Sequence, residues 1–93
     1  MYIGELYITS GVMALISDNI ITKQEAMECV YRHINLDYGE TDKHDAKIND
    51  RNLSANVGTV QSSYTINGNT IWIVTSLGDS ETTYSTLLLP NEY

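Results

Sequence analysis

The pair Asn67-Gly68 is the feature that most constrains the fold, because it separates two runs rich in β-branched and aromatic residues, 59–66 and 69–76. A two-residue type I′ hairpin turn needs positive φ at both central residues, and Asn-Gly adopts that conformation at low cost. A loop this short also fixes the register of the two strands. The sequence therefore predicts a hairpin in which Tyr64 faces Ile71.

Further strands are predicted on both sides of this hairpin. A third β-rich run covers residues 82–89 after a Gly-Asp-Ser-Glu turn, which completes an antiparallel meander in the C-terminal third. Residues 2–9 favour a first strand, although Gly4 weakens it. We expect a three- or four-stranded antiparallel sheet.

Three helices are predicted before the hairpin. Thr22 and Glu25 have the spacing of a capping box, so a helix should begin at Lys23, and its apolar positions at intervals of three and four run to about residue 35. A helix of one or two turns is expected over residues 11–16 and a polar helix over 42–56. Residues 1–93 thus predict a single α+β domain with two to three helices packed on one face of the sheet.

The charge balance bears on the class of partner. Twelve acidic residues against five basic ones give a net charge of −7. Direct nucleic-acid binding is disfavoured, because phosphates require Lys and Arg. The charge favours a basic protein surface, such as the nucleic-acid-binding face of another protein. The plainer alternative is that the negative charge serves only to keep the protein soluble.

Several classes of function lack a signal in the chain. The chain has no apolar run of about 18 residues that would predict a membrane span, and it has no leader pattern. A cytoplasmic protein without membrane contact is therefore expected. The single cysteine, Cys29, falls on the apolar stripe of the second helix, which predicts a buried thiol. There is no glycine-rich phosphate loop and no nucleophile elbow, and we expect no cofactor.

The segment 32–50 is the richest in functional side-chain types. An acid–base site would pair His33 with Asp37 or Asp45 and would add Arg32, which makes a small enzyme or ligand-binding domain one alternative. The spacing of metal ligands is absent, so no metal site is predicted. The structural alternative places Arg32 and His33 at a helix C-terminus, where they meet free carbonyl groups.

Aromatic residues of the hairpin are candidate anchors for a partner. Trp72 stands in the apolar run 71–74, which indicates burial or one apolar face exposed to a partner. Trp and Tyr dominate interface hot spots, so Trp72 is a candidate anchor together with Tyr64 or Tyr84.

The chain resembles a family of small plasmid- and phage-borne proteins, often labelled "plasmid-related" or described as a restriction-enzyme subunit. Seven tokens carry the resemblance, in order: Thr9-x-Gly11, Arg32-His33, Asp37-Tyr38-Gly39, Asp45-x₃-Asn49, Ser62-x-Tyr64, Ile71-Trp72-Ile73-x-Thr75 and Leu88-Leu89-Pro90-x-Glu92-Tyr93. The chain departs from the family pattern at Ser10, Leu36 and Tyr38, and it has a few inserted residues around 81–85.

The resemblance implies residence on a mobile genetic element, where small acidic proteins often inhibit host defence. We expect a non-enzymatic inhibitor, anti-CRISPR or anti-restriction, that binds a basic nucleic-acid-binding surface of a CRISPR or restriction effector. A structural accessory protein of a plasmid or phage apparatus is the alternative. A homodimer through an exposed edge of the third predicted meander strand is a further alternative. Eight residues are predicted to contact the partner: Asp37, Tyr38, Glu40, Asp42, Asp45, Asn49, Asp50 and Trp72.

Overall fold

The computed structural model describes all 93 residues and confirms the α+β class. The elements follow one another in the order β1 (Glu5–Ile8), α1 (Ser10–Ser17), α2 (Lys23–Ile34), α3 (Lys43–Ala55), β2 (Thr59–Ile66), β3 (Asn69–Ser76) and β4 (Tyr84–Leu88), with a 3₁₀ turn at Pro90–Glu92.

The predicted hairpin is confirmed in its bounds and its register. Strands β2 and β3 pair antiparallel, with Tyr64 opposite Ile71. The two turn residues have the positive φ that a type I′ turn requires, 50° at Asn67 and 78° at Gly68. The side chain of Asn67 also donates a hydrogen bond to the carbonyl of Ile20, 2.9 Å away, which attaches the turn to the end of the helical layer.

The helix starts are fixed by side-chain caps. At α2 the predicted capping box is present: Glu25 N–H donates to Thr22 Oγ1 at 3.0 Å, and Thr22 N–H donates to Glu25 Oε1 at 2.9 Å. The side chain of Thr9 caps α1 by accepting from Val12 N–H, and that of Asp42 caps α3 by accepting from Asp45 N–H. None of the helices is long and apolar enough to cross a membrane.

The sheet has the order β1-β4-β3-β2 and is mixed. Strand β1 runs parallel to β4, with Leu6 beside Ser85, so the prediction of a purely antiparallel sheet is wrong. A short turn forces neighbouring strands to be antiparallel, and no such turn joins β1 to β4. Because β1 occupies the outer side of β4, the prediction that this last strand is an exposed edge available for a dimer is also wrong.

The core lies between one face of the sheet and helices α1 and α2. It consists of nine buried residues: Val12, Ile21, Ala26, Cys29, Val30, Tyr64, Ile71, Ile73 and Leu87. The thiol of Cys29 is buried, as predicted, and burial raises its pKa to about 11. Tyr64 belongs to this core with 1% exposure, which removes it as a surface anchor.

Helix α3 differs from the other two helices in its position. It contributes no residue to the core and lies along β2 at the edge of the sheet. The face opposite α1 and α2 we call the open face. Its side chains alternate with those of the core along each strand and are exposed or half-buried, apart from the buried Leu88: Glu5, Tyr7, Thr59, Gln61, Ser63, Trp72, Val74, Ser76, Tyr84, Thr86 and Leu88.

Candidate functional site

The histidine singled out from the sequence lies in the core rather than at a surface site. His33 is fully buried, and its two ring nitrogens contact Ser62 Oγ at 2.6 Å and Thr75 Oγ1 at 2.8 Å. The hydroxyl groups of Thr75 and Ser85 are 2.7 Å apart, and Ser85 Oγ lies 2.7 Å from the carbonyl oxygen of Ile3. One buried polar network thus joins α2 to β2, β3 and β4.

The direction of the hydrogen bonds in this network follows from the carbonyl group of Ile3, at which the network ends. A carbonyl oxygen only accepts, so Ser85 donates to Ile3 and accepts from Thr75. Thr75 then has no proton left and accepts from Nε2–H of His33. Burial, and then the charged amino group of Met1, lower the pKa of His33 to about 4, so the ring is neutral at pH 7 and Ser62 donates to Nδ1.

Arg32 and Asp37 form a surface pair instead of joining His33. Arg32 donates to the carboxylate of Asp37 through Nε at 2.7 Å and Nη2 at 3.3 Å, which holds the pKa of Asp37 below its usual value. The guanidinium also lies 4.7 Å from the centre of the Tyr64 ring. Asp45 stands on α3, so the four residues of the predicted acid–base site do not converge on one cavity.

The loop between α2 and α3 is attached to the outer edge of β2. Ser63 N–H donates to the carbonyl of Tyr38 at 3.2 Å, and Glu40 N–H donates to the carbonyl of Ser63 at 2.7 Å. Gly39 lies between these two bonds with φ of 65°, and a Cβ there would come within 2.2 Å of the Ser63 carbonyl oxygen. Only glycine fits this close approach. The attachment places Glu40 next to the open face.

Helix α3 continues the cover of the same edge. Asn49, exposed by only 4%, accepts from Gln61 N–H at 3.0 Å and donates to the Gln61 carbonyl at 2.7 Å. Its amide therefore pairs with β2 as another strand would. The cap at Asp42, whose carboxylate accepts from Asp45 N–H at 2.8 Å, fixes the first turn of the helix beside Glu40.

These elements enclose a groove of about 370 Å³ between α3 and the open face. We call it the acidic groove. Its walls carry the carboxylates of Glu40, Asp42 and Asp45, and its floor includes Trp72. None of the five Lys and Arg residues lines it. Three acids without a base give this groove a formal charge of −3.

The structure thus brings together five of the eight residues predicted to contact a partner. The groove contains Glu40, Asp42, Asp45, Asn49 and Trp72. The oxygen and the nitrogen of the Asn49 side-chain amide, however, already form hydrogen bonds with Gln61 of β2.

The other three predicted contact residues lie outside the groove. Asp37 pairs with Arg32, and the hydroxyl of Tyr38 donates to Asp50 Oδ1 at 2.7 Å. Burial and then this hydrogen bond raise the pKa of Tyr38 to about 12. All three residues are therefore occupied by contacts within the domain.

Two further concavities lie on the open face, and sequence analysis missed most of their residues. One of about 290 Å³ is lined by Tyr84, Glu92 and Tyr93, among others. Another of about 530 Å³ lies at the β1 end of the sheet. Neither is lined by Lys or Arg. Tyr7 in β1 and Tyr84 at the start of β4 were the available signal, but it could not be used without knowing that these strands are neighbours.

The first turn of α3 also holds a cluster of possible metal ligands. Donor atoms of Asp42, His44 and Asp45 lie within 4.8 Å of one another, and all three residues are exposed. His44 Nδ1 is 3.5 Å from Asp45 Oδ1. An acidic helix start with one imidazole is common without a metal, and nothing else at this position points to one.

Comparison of the chain with protein-family models, with curated proteins and with solved structures gives no match.

Proposed function

We propose that the protein inhibits a host defence complex by binding it, and that the acidic groove receives basic side chains of a nucleic-acid-binding surface on a CRISPR or restriction effector. The gene would reside on a mobile element, as the resemblance implies. The observation that carries the proposal is the composition of the groove, with three carboxylates and Trp72 and no basic residue.

The separation of charges on α3 supports this proposal. Residues 37–51 contain five acids and three bases, which leaves a modest net charge of −2 for the segment as a whole. In the structure the three bases, Lys43, Lys47 and Arg51, stay outside the groove, while three of the acids line it. The local field is therefore more negative than the sequence count suggests. Such a surface attracts a basic partner and accelerates encounter.

Trp72 supplies the apolar part of a protein interface. It is half-buried on the open face, and its ring meets Tyr93 edge to face, with centroids 5.8 Å apart and an interplanar angle of 75°. Packing against Tyr93 holds the indole in place before a partner arrives. Tryptophan is enriched at the centre of binding interfaces, where polar and charged groups form the surrounding rim.

The test is inhibition of purified CRISPR and restriction effectors by the protein, measured as DNA cleavage against inhibitor concentration and salt. A double variant, Glu40→Gln with Asp45→Asn, removes two groove charges and keeps the Asp42 cap. We expect it to weaken inhibition roughly tenfold, as the loss of two charge pairs would, and to reduce the salt dependence.

The matched control is Asp18→Asn with Glu28→Gln, which changes the net charge equally at two exposed positions outside the groove. It should inhibit as the unaltered protein does. Equal weakening by the two double variants would show that net charge alone acts, and absence of inhibition across the panel would contradict the proposal.

A further inference from the structure

The largest cavity of the molecule, about 530 Å³, lies at the opposite end of the open face from the acidic groove. It is formed where β1 meets β4 and the turn before β4, and it has no role in the proposed function above. Three tyrosines, Tyr2, Tyr7 and Tyr84, and two carboxylates, Glu5 and Glu81, line it, and no Lys or Arg does. We call it the tyrosine pocket.

The aromatic rings form walls that face different directions. Tyr7 and Tyr84 stand with centroids 6.1 Å apart and an interplanar angle of 79°, so they enclose nearly a right angle. The hydroxyl of Tyr2 donates to the carbonyl of Ser80 at 3.1 Å, which attaches a third ring to the turn. The three residues are 62%, 50% and 47% exposed in the order Tyr2, Tyr7, Tyr84, so much of their aromatic surface is unpartnered.

The two carboxylates of the pocket belong to residues whose backbone is fixed by a strand or by a hydrogen-bonded turn. Glu5 belongs to β1 opposite Tyr84, and the closeness of its carboxylate raises the pKa of Tyr7. Glu81 lies in a turn ordered by Asp79, whose carboxylate accepts from the N–H groups of Glu81 at 2.8 Å and Thr82 at 3.0 Å. Two carboxylates thus line the pocket beside three aromatic rings, on backbone that the strand and the turn fix.

We propose that the tyrosine pocket binds the guanidinium group of arginine. A guanidinium stacks on aromatic rings through its flat face and donates in its plane to carboxylates, and this pocket offers both kinds of partner. A lysine ammonium is more strongly hydrated and gains less from the rings. A quaternary ammonium cannot donate hydrogen bonds, so it would make only ionic contact with Glu5 and Glu81.

The arginine can be a free small molecule or a side chain of a protein, and this inference does not depend on the proposed inhibition. The pocket shares no residue with the acidic groove. Each site can therefore be tested while the other is altered.

The experiment is NMR titration of the protein with N-acetyl-arginine amide, N-acetyl-lysine amide and tetramethylammonium, which all carry a single positive charge. We expect the arginine probe to shift the ring signals of Tyr2, Tyr7 and Tyr84 and to bind about fivefold more tightly than the other two. Tyr84→Leu and Glu81→Gln, both at exposed positions, should each weaken binding several-fold. The groove variant, Glu40→Gln with Asp45→Asn, should bind as the unaltered protein does.

A Gly-Arg-Gly peptide with blocked ends separates the two sources. Tighter binding than the amide supports a protein side chain as the natural ligand, and equal binding supports a free arginine-like compound. Equal affinity for all three cations, an unchanged titration in both pocket variants, or the lack of a saturable shift would each overturn the proposal.

Discussion

His33 shows how one residue changes meaning once its surroundings are known. By type and position it was a candidate acid–base group, yet its ring is enclosed by two hydroxyl groups that come from β2 and β3. Ser62 and Thr75 were predicted as strand residues, but which sheet face α2 would cover is a tertiary property. The partners of His33 could therefore not be predicted from the sequence.

Burial of a neutral His33 makes stability depend on pH. The pKa of the ring is lowered from 6.5 to about 4, so between these values the unfolded chain binds a proton that the native state does not. Stability from this residue is complete above pH 6.5 and falls as the pH is lowered towards 4, by about 3 kcal/mol in all, at 1.36 kcal/mol per pH unit. Urea unfolding at a series of pH values measures this loss.

His33→Gln is the matching variant, since an amide retains one donor and one acceptor. We expect lower stability at pH 7 and a flatter dependence on pH between 6.5 and 4. The same steep loss in the variant would place the titration on another group.

At the scale of elements, the outer edge of β2 is covered without an additional full strand. The loop at Gly39 pairs with Ser63, Asn49 pairs with Gln61, and Asn52 donates to the Thr59 carbonyl at 2.9 Å. Exposed edges invite pairing with other chains, so this cover disfavours aggregation at β2. It also explains why a helix with few large apolar residues is stable here: α3 is attached by side-chain amides.

Asn49 makes the central contact of this cover. Asn49→Ala would leave the N–H of Gln61 without a partner and its carbonyl with only the 3.4 Å hydrogen bond from Thr41 Oγ1, at a cost of about 2 kcal/mol in the free energy of unfolding. The amide proton of Gln61 should also exchange faster with solvent. Urea unfolding and hydrogen exchange measure the two effects.

Two variants make this test specific. Asn52→Ala removes a single bond at a more exposed position and should cost less. Asn49→Asp retains the acceptor but turns a carboxylate towards the Gln61 carbonyl, so its loss of stability should diminish in acid, where the carboxyl group becomes a donor. A loss below about 0.5 kcal/mol for Asn49→Ala, the range of ordinary surface changes, would contradict this role.

Much of the element structure could be predicted because local signals determine it. The capping box marked the start of α2, and Asn67-Gly68 set the bounds and register of β2 and β3. The direction of β1 and the edge position of α3 depend on contacts between distant parts of the chain. Five residues of the acidic groove were named in advance because four of them come from one segment, whereas the tyrosine pocket joins residues from both ends of the chain.

At the scale of the whole molecule, the two ends of the chain are joined through Glu92. Its carboxylate accepts from Thr9 Oγ1 at 2.6 Å, from Leu89 N–H at 2.9 Å and from Gly11 N–H at 3.0 Å. Thr9 and Gly11 lie at the start of α1, where the helix dipole favours a negative charge. The same turn carries Tyr93 onto Trp72, so Glu92 also helps to position the aromatic part of the open face.

Glu92→Gln should therefore lower stability at neutral pH. The hydrogen bond from Thr9 and then that from the Leu89 N–H lower the pKa of Glu92 below its usual value. Its contribution is thus present above the normal pKa of a glutamate and is lost as the pH falls through the lowered value. The Tm of the variant should lie below that of the unaltered protein at pH 7, and the two should converge in strong acid.

Glu81→Gln, at an exposed carboxylate in a loop, is the control and should change the Tm little. If the gap between the Glu92 variant and the unaltered protein is the same at pH 7 and in strong acid, charge at this position does not stabilise the junction, and the neutral hydrogen bonds alone hold the two ends together.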